Sequence, residues 1–196
     1  MRDAARGRAT SRRFPNPDAV LPFVTPRIDR VAPRRHDDAW LAAHLDAPAS
    51  RWLLLADLRI ATDAAGTPIT VSGPVAAPLL ARGGDWAYLG DVDGASWFAL
   101  DVTAHGLADR APEDELAGHA ASPLDDVRWT ELRPLALSVD QELGALLAQA
   151  RGLLAWHARH PRCAVCGAAT HLDEAGYVRR CGDAACGAQH LSLIHI

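Results

Sequence analysis

Cys163-Ala-Val-Cys166-Gly167 and Cys181-Gly-Asp-Ala-Ala-Cys186-Gly187 hold all four cysteines of this 196-residue chain, with fourteen residues between the two pairs. Two close thiol pairs at this separation are typical of a tetrahedral four-sulfur zinc site. In such a site each pair occupies a tight turn, where backbone N–H groups point at the sulfurs and the trailing glycine adopts a positive φ. The pattern predicts a small β zinc ribbon over residues 161–190, with Cys163, Cys166, Cys181 and Cys186 as ligands of a structural Zn²⁺.

Two other arrangements of the same residues are alternatives to this site. Two disulfides would suit a small secreted module, but the first 162 residues contain no cysteine and no apolar signal segment is evident, which favours a metal. His171 and His190 could each replace a cysteine, although four thiolates already complete a tetrahedron. His190 is the alternative fourth ligand if the wider pair, Cys181 and Cys186, is misassigned.

The segments around the cysteines carry a family resemblance. The chain reads Ala150-Arg-Gly-Leu-Leu-Ala-Trp-His-Ala-Arg-His160-Pro-Arg before the first pair, Gly176-Tyr-Val-Arg-Arg before Cys181, and Gly187-Ala-Gln-His190 after Cys186. Further upstream it reads Trp86-Ala-Tyr-Leu-Gly-Asp91, Ser96-Trp-Phe-Ala-Leu-Asp101 and Trp129-Thr-Glu-Leu-Arg-Pro134. Over roughly residues 15 to 190 this resembles the NADH pyrophosphatases of the Nudix superfamily, specifically around the cysteines and by pattern only upstream.

The resemblance implies an α+β fold, a reduced Nudix-like α/β sandwich followed by a small β zinc ribbon. It divides the chain into a non-catalytic Nudix-like domain (15–137), a connecting helix (138–160) and the ribbon (161–190). Residues 1–14, which are rich in arginine and lack an apolar segment, are interpreted as a flexible tail. It also implies that the whole enzyme hydrolyses the pyrophosphate of NADH or NAD⁺ to nicotinamide mononucleotide and AMP, and that it can act on NAD-capped RNA. A cytoplasmic homodimer is expected on the same ground.

Arg133 matches a Leu-Arg position that lies near the substrate in the enzymes that this chain resembles. A guanidinium group can contact phosphate through two parallel hydrogen bonds. We therefore interpret Arg133 as a candidate substrate-binding residue, with an ordinary surface arginine as the alternative.

The catalytic motif of the superfamily does not occur in the chain. The Nudix box, G-x5-E-x7-R-E-U-x-E-E-x-G-U with U an aliphatic residue, holds Mg²⁺ or Mn²⁺ around a pyrophosphate, but no Arg-Glu dipeptide occurs here. The acidic cluster at 113–115 follows Pro112 and is interpreted as the first turn of a helix. We predict that the chain by itself is inactive and that the catalytic cations belong to a domain missing from it.

The resemblance stops after His190, where the chain reads Leu191-Ser-Leu-Ile-His-Ile196. Those six residues are what a transposon mosaic-end sequencing adapter encodes in one reading frame. We interpret residues 191–196 as a sequencing artefact at the end of a truncated chain, with a genuine apolar tail as the alternative.

Composition excludes some functions. No apolar run approaches the ~20 residues of a membrane span. A net charge of −4 argues against a general nucleic-acid-binding protein. A stand-alone zinc-ribbon module that binds nucleic acid or a protein, and a remnant that only dimerises with an intact paralogue, are the alternatives to the enzyme fragment.

Periodicity and turn signals give a coarse secondary structure. We predict strands over 52–60, 68–72, 86–90 and 96–102, with an Asp-Gly hairpin turn ending at Gly94. Helices are predicted over 37–45 and 113–120, and a longer one begins at a capping box of Ser138 and Gln141 and ends near Arg159. Trp156 and His157 are interpreted as packing the end of that helix against the ribbon, with a base-stacking platform or a fifth metal ligand as alternatives.

Overall fold

The computed structural model describes residues 27–107, 126–135 and 137–192. The predicted tail and the predicted helix over 113–120 lie outside these residues. Four α-helices occur in the described part: α1 (Asp38–Leu45), α2 (Gly73–Ala81), α3 (Leu132–Leu135) and α4 (Gln141–Arg159). The described strands are β1 (Arg51–Ala56), β2 (Arg59–Thr62), β3 (Thr70–Ser72), β4 (Trp86–Val92), β5 (Ala95–Asp101), β6 (Arg128–Thr130), β7 (Thr170–Asp173), β8 (Val178–Cys181) and β9 (Gln189–Leu191).

A six-stranded sheet forms the centre of the larger part of the molecule, residues 27–159, which we call the sandwich. Its strand order is β4-β5-β1-β2-β6, and β3 also pairs with β1. The pairing of β1 with β5 is parallel, and the other pairings within the sheet are antiparallel. The ribbon strands β7, β8 and β9 form a separate antiparallel sheet; we call residues 161–192 the cysteine module.

Both faces of the central sheet are covered, and the sequence of β1 shows how. Leu53 and Leu55 belong to the core cluster under α4, whereas Trp52 and Leu54 belong to the cluster that contains residues of α1 and α2. Successive side chains of a strand point to opposite faces, so a strand buried on both sides reads as an unbroken apolar run. The α+β fold, with a sandwich followed by a β ribbon, agrees with the sequence prediction.

The predicted strand over 52–60 is wrong, because the chain turns back within it. Asp57 and Leu58 both have positive φ, of 49° and 61°, and they connect β1 to its antiparallel neighbour β2. No glycine or asparagine marks this turn. The predicted hairpin is confirmed, since Asp93 and Gly94 connect β4 to β5.

The predicted capping box is also wrong, although the long helix itself is confirmed. Asp140 is the N-cap, and its side chain accepts a hydrogen bond from the backbone N–H of Leu143. Ser138 instead donates its hydroxyl to the carbonyl of Leu135. An aspartate at the N-cap satisfies one of the unpaired N–H groups of the first turn, as a serine would have done.

Candidate metal centre

The four cysteine sulfurs converge at one end of the cysteine module. Cys163, Cys166, Cys181 and Cys186 present their Sγ atoms within 4.8 Å of one another, and all four thiols are free. The Sγ atoms of Cys166 and Cys181 are 3.4 Å apart, and those of Cys163 and Cys186 are 3.8 Å apart. A tetrahedron with metal–sulfur distances of about 2.3 Å has edges of about 3.8 Å, whereas a disulfide bond is only about 2.05 Å long. The arrangement therefore fits a tetrahedral metal ion and not two disulfides.

Each pair of cysteines lies on a turn whose backbone points at sulfur, as the spacing predicts. The backbone N–H of Val165 lies 3.4 Å from Cys163 Sγ, and that of Asp183 lies 3.4 Å from Cys181 Sγ. Gly167 closes the first turn with a φ of 79°. A metal binds the thiolate form of cysteine, and these N–H groups offset the negative charge on the thiolate sulfur.

The second turn accommodates its two additional residues through Asp183. The carbonyl of Asp183 accepts hydrogen bonds from the N–H groups of Cys186 and Gly187, and its side chain accepts one from Ala185. Gly187 then closes the turn with a φ of 58°. The wider spacing thus still returns Cys186 to the cluster.

The environments of the thiols differ. Hydrogen bonding to the Cys163 sulfur, chiefly by the backbone N–H of Cys166, lowers the pKa of Cys163 to about 6. Burial raises the pKa of Cys181 to about 12. Of these two thiols, Cys163 therefore ionises more readily.

The two histidines of the cysteine module lie at different distances from the sulfur cluster. His190 Nε2 lies 3.3 Å from Cys163 Sγ, close enough for a hydrogen bond to sulfur but outside the four-sulfur group. His171 is exposed on β7. Within the described residues the four cysteines are the sole group with metal-binding geometry.

The two arginines before Cys181 are paired with carboxylates. Arg180 Nε donates to Asp173 at 2.7 Å, inside the cysteine module. Arg179 Nη1 lies 2.9 Å from both carboxylate oxygens of Asp85, the residue directly before β4. The link to Asp85 spans 94 residues of sequence, and no local signal predicts it.

Trp156 and His157 are both buried at the end of α4. His157 Nδ1 lies 3.1 Å from Arg179 Nη1, so it contacts the cysteine module without belonging to the sulfur cluster. Because a guanidinium group only donates, Nδ1 must be the acceptor and the proton lies on Nε2. Burial lowers the pKa of His157 to about 4. This position agrees with the packing interpretation.

Arg133 lies far from the cysteines in the topology. It is exposed on α3, directly after the edge strand β6, whereas the cysteine module contacts the opposite edge strand β4. Within the described ranges Arg133 makes no hydrogen bond or ion pair. The structure thus does not bring this candidate residue together with the four sulfurs.

Comparison with known proteins gives the same two parts. A family model described as the NADH pyrophosphatase-like rudimentary NUDIX domain matches residues 49–156, and one described as the NADH pyrophosphatase zinc ribbon domain matches residues 158–191. The NAD-capped RNA hydrolases NUDT12 of Homo sapiens and Macaca fascicularis are each 26% identical over 182 residues, and that of Pongo abelii is 25% identical. Each alignment covers 81% of this chain and 39% of the relative, so the chain spans about two fifths of the length of these relatives. Because the first family model covers more than half of the residues, the chain belongs to the NADH pyrophosphatase-like family of the Nudix superfamily.

Proposed function

We propose that this chain is the N-terminal and zinc-ribbon part of an NAD(H) diphosphatase. The whole enzyme hydrolyses the pyrophosphate of NADH or NAD⁺ to nicotinamide mononucleotide and AMP. The observation that carries the proposal is the succession of a rudimentary Nudix domain and a zinc ribbon with four converging cysteines. Cys163, Cys166, Cys181 and Cys186 hold one structural Zn²⁺, which fixes the cysteine module and takes no part in the hydrolysis.

Catalysis in the proposed enzyme requires Mg²⁺ or Mn²⁺ held by the glutamates of a Nudix box. Such cations offset phosphate charge and activate the attacking water. The present sequence contains no such box. The chain alone is therefore proposed to bind zinc but not to hydrolyse NADH.

One experiment tests both parts of the proposal. The purified 196-residue chain is analysed for zinc by mass spectrometry, and it is incubated with NADH and either Mg²⁺ or Mn²⁺ while nucleotide products are separated by chromatography. We expect about one zinc per chain and no nicotinamide mononucleotide. A zinc-free chain would contradict the metal site, and metal-dependent formation of the mononucleotide would contradict the proposed inactivity.

Arg133 is proposed to contact a phosphate of the substrate in the whole enzyme. Its exposure and its lack of a partner in the described ranges support this role, because the guanidinium group stays available for a ligand. In a chain that includes a catalytic Nudix domain, Arg133→Ala should raise KM for NADH about ten-fold, the loss expected for one charge-assisted contact. Arg128→Ala, which removes an exposed arginine of β6, is the control and should leave KM unchanged.

NAD-capped RNA is a second candidate substrate. The relatives that match this chain are named NAD-capped RNA hydrolases. RNA cleavage should weaken with rising salt more steeply than NADH cleavage, since longer phosphate chains release more counterions. Equal salt dependence would exclude contacts beyond the cap. A cytoplasmic homodimer is proposed on the family resemblance alone, and light scattering would test its mass.

A further inference from the structure

The cysteine module contributes a side chain to the core of the sandwich. Tyr177, just before β8, is fully buried in the same cluster as Leu89 of β4 and Leu153 of α4. Its hydroxyl accepts a hydrogen bond of 2.7 Å from Gln149, which also donates to the carbonyl of Leu89 at 2.9 Å. The guanidinium group of Arg35 lies 3.5 Å from the centre of the Tyr177 ring. The two parts therefore share one packed interior.

The backbone of the cysteine module also lies directly against β4. Gly176 has a φ of 92°, and a Cβ atom at this position would lie 2.5 Å from the carbonyl oxygen of Trp86 and 2.7 Å from Cα of Ala87. Such distances are far below van der Waals contact, so only glycine permits this approach. Glu174 and Ala175, which precede it, also have positive φ. A turn of this shape keeps its conformation only where its surroundings hold it.

A partly buried ion pair crosses the same contact. Arg179 is buried, and it bonds to Asp85 of the sandwich, to His157 of α4 and to Thr170 of β7. Thr170 is the direct strand partner of Cys181. Arg179 therefore lies two positions before Cys181 on β8, and its guanidinium group contacts Asp85, the residue directly before β4.

We infer that metal binding by the four cysteines stabilises the β4 edge of the sandwich through the Arg179–Asp85 ion pair. This inference rests on the proposed zinc site. Removal of the metal frees β8 and β7 to move, and Arg179 then loses the position from which it satisfies Asp85. The partly buried carboxylate of Asp85 then lacks its cation, which is destabilising because its desolvation is no longer offset, so the effect spreads from the sulfur cluster to β4. Zinc thus acts on the sandwich as well as on the cysteine module.

Hydrogen exchange of the full chain tests this coupling. Amide exchange is measured by mass spectrometry on zinc-loaded and chelator-treated samples, for peptides covering β4 and β8. We expect chelation to accelerate exchange in β4 at least ten-fold, along with faster exchange in β8. Accelerated exchange in β8 with unchanged exchange in β4 would overturn the coupling. Zinc content, measured on the same samples, separates this outcome from failure of the proposed metal site itself.

Two acid-to-amide substitutions test the route. Asp85→Asn removes the carboxylate that faces Arg179 across the contact, and Asp173→Asn removes the one that faces Arg180 within the cysteine module. The two side chains are equally exposed, at 32% each, so they form a matched pair. The zinc-dependent difference in β4 exchange should shrink several-fold in the Asp85 variant and persist in the Asp173 variant. Equal effects would overturn Arg179–Asp85 as the route, and if the Asp85 variant does not fold, the wild-type comparison still decides whether coupling exists.

Discussion

The sandwich and the cysteine module are stabilised by different forces. In the sandwich, strands such as β1 bury nearly every side chain between two helical layers, and apolar burial supplies the stability. The cysteine module has a three-stranded sheet and few buried apolar side chains of its own, and its largest, Tyr177, packs into the sandwich. A module this small needs a metal or a neighbour to remain folded. The comparison teaches that the cysteine module is stabilised by its contact with the sandwich, together with the metal that its four sulfurs are proposed to hold.

Removal of a sulfur ligand should have the largest effect. Cys186→Ser breaks the proposed four-sulfur site, and structural zinc contributes about 10–16 kcal/mol to the folding of small zinc domains. We expect the variant to lose its zinc and the strands β7–β9 to lose protection from hydrogen exchange. Atomic absorption and exchange measurements check this.

His190→Gln is the matched control for the sulfur ligand. His190 contacts the sulfur of Cys163 but lies outside the cluster, so this variant should retain stoichiometric zinc. Zinc retained in the Cys186 variant and lost in the His190 variant would show that the histidine is the fourth ligand.

The shared core should show the next largest effect. Tyr177→Ala leaves a cavity between the two parts, and removal of a buried aromatic ring costs about 3–5 kcal/mol. Urea unfolding followed by tryptophan fluorescence measures the loss, because all six tryptophans of the chain lie in the sandwich, at positions 40, 52, 86, 97, 129 and 156. If the cysteine module is only tethered to the end of α4 and does not share the core, the sandwich of the Tyr177 variant will unfold at the same urea concentration as that of the wild-type protein.

Tyr177→Phe separates the ring from its hydroxyl. The ring stays packed, but Gln149 Nε2 loses one of its two acceptors. The expected cost is about 1–2 kcal/mol, the range for a lost buried hydrogen bond.

The contact between the two parts should also respond to pH through His157. In the unfolded chain the pKa of this histidine is about 6.5, whereas burial in the folded protein lowers its pKa to about 4. The unfolded state therefore binds more protons between these values, and the free energy of unfolding decreases as the pH drops. Near pH 5.5 the loss is on the order of 1 kcal/mol relative to pH 7.5.

Two histidine variants isolate that contribution. His157→Asn removes the titrating ring, which lies among Asp85, Arg179 and His160, and should remove this share of the pH dependence. His171→Asn, at an exposed position of β7, should keep it. Urea unfolding at both pH values with excess zinc gives the comparison, and identical pH dependence in wild type and the His157 variant would contradict the assigned proton state.

Local signals made one set of features predictable from sequence. The cysteine turns, the hairpin at Gly94 and the long helix all depend on residues within a few positions of one another. The sequence does not predict the turn at Asp57 and Leu58, because a single aspartate followed by leucine, with no glycine or asparagine, stands inside a long apolar run. Helix α2 was missed because Pro74 and Pro78 indicate a break, although Pro74 lies in the first turn, where its missing N–H is harmless.

Long-range contacts made the remaining features unpredictable. The residues around Asp85 do not predict its ion pair with Arg179. The residues around Gln149 likewise do not predict its hydrogen bond with Tyr177. These pairs exist because the cysteine module packs on β4, an arrangement set by the whole fold. The sequence could thus identify the sulfur cluster but not its connection to the sandwich.

Removal of the N-cap of α4 should have the smallest effect on the free energy of unfolding. The same experiment distinguishes the cap predicted from sequence, at Ser138, from the observed cap at Asp140. Asp140→Ala removes the acceptor for the N–H of Leu143 and a negative charge at the helix N-terminus, at a cost of about 1 kcal/mol. Ser138→Ala should change the free energy of unfolding by less than about 0.5 kcal/mol, the usual range for surface sites. The reverse order of the two losses in urea unfolding would reinstate the capping box. Helix α4 contributes side chains to the core of the sandwich, and its His157 contacts the cysteine module. Even this small loss of unfolding free energy should therefore appear in the unfolding of both the sandwich and the cysteine module.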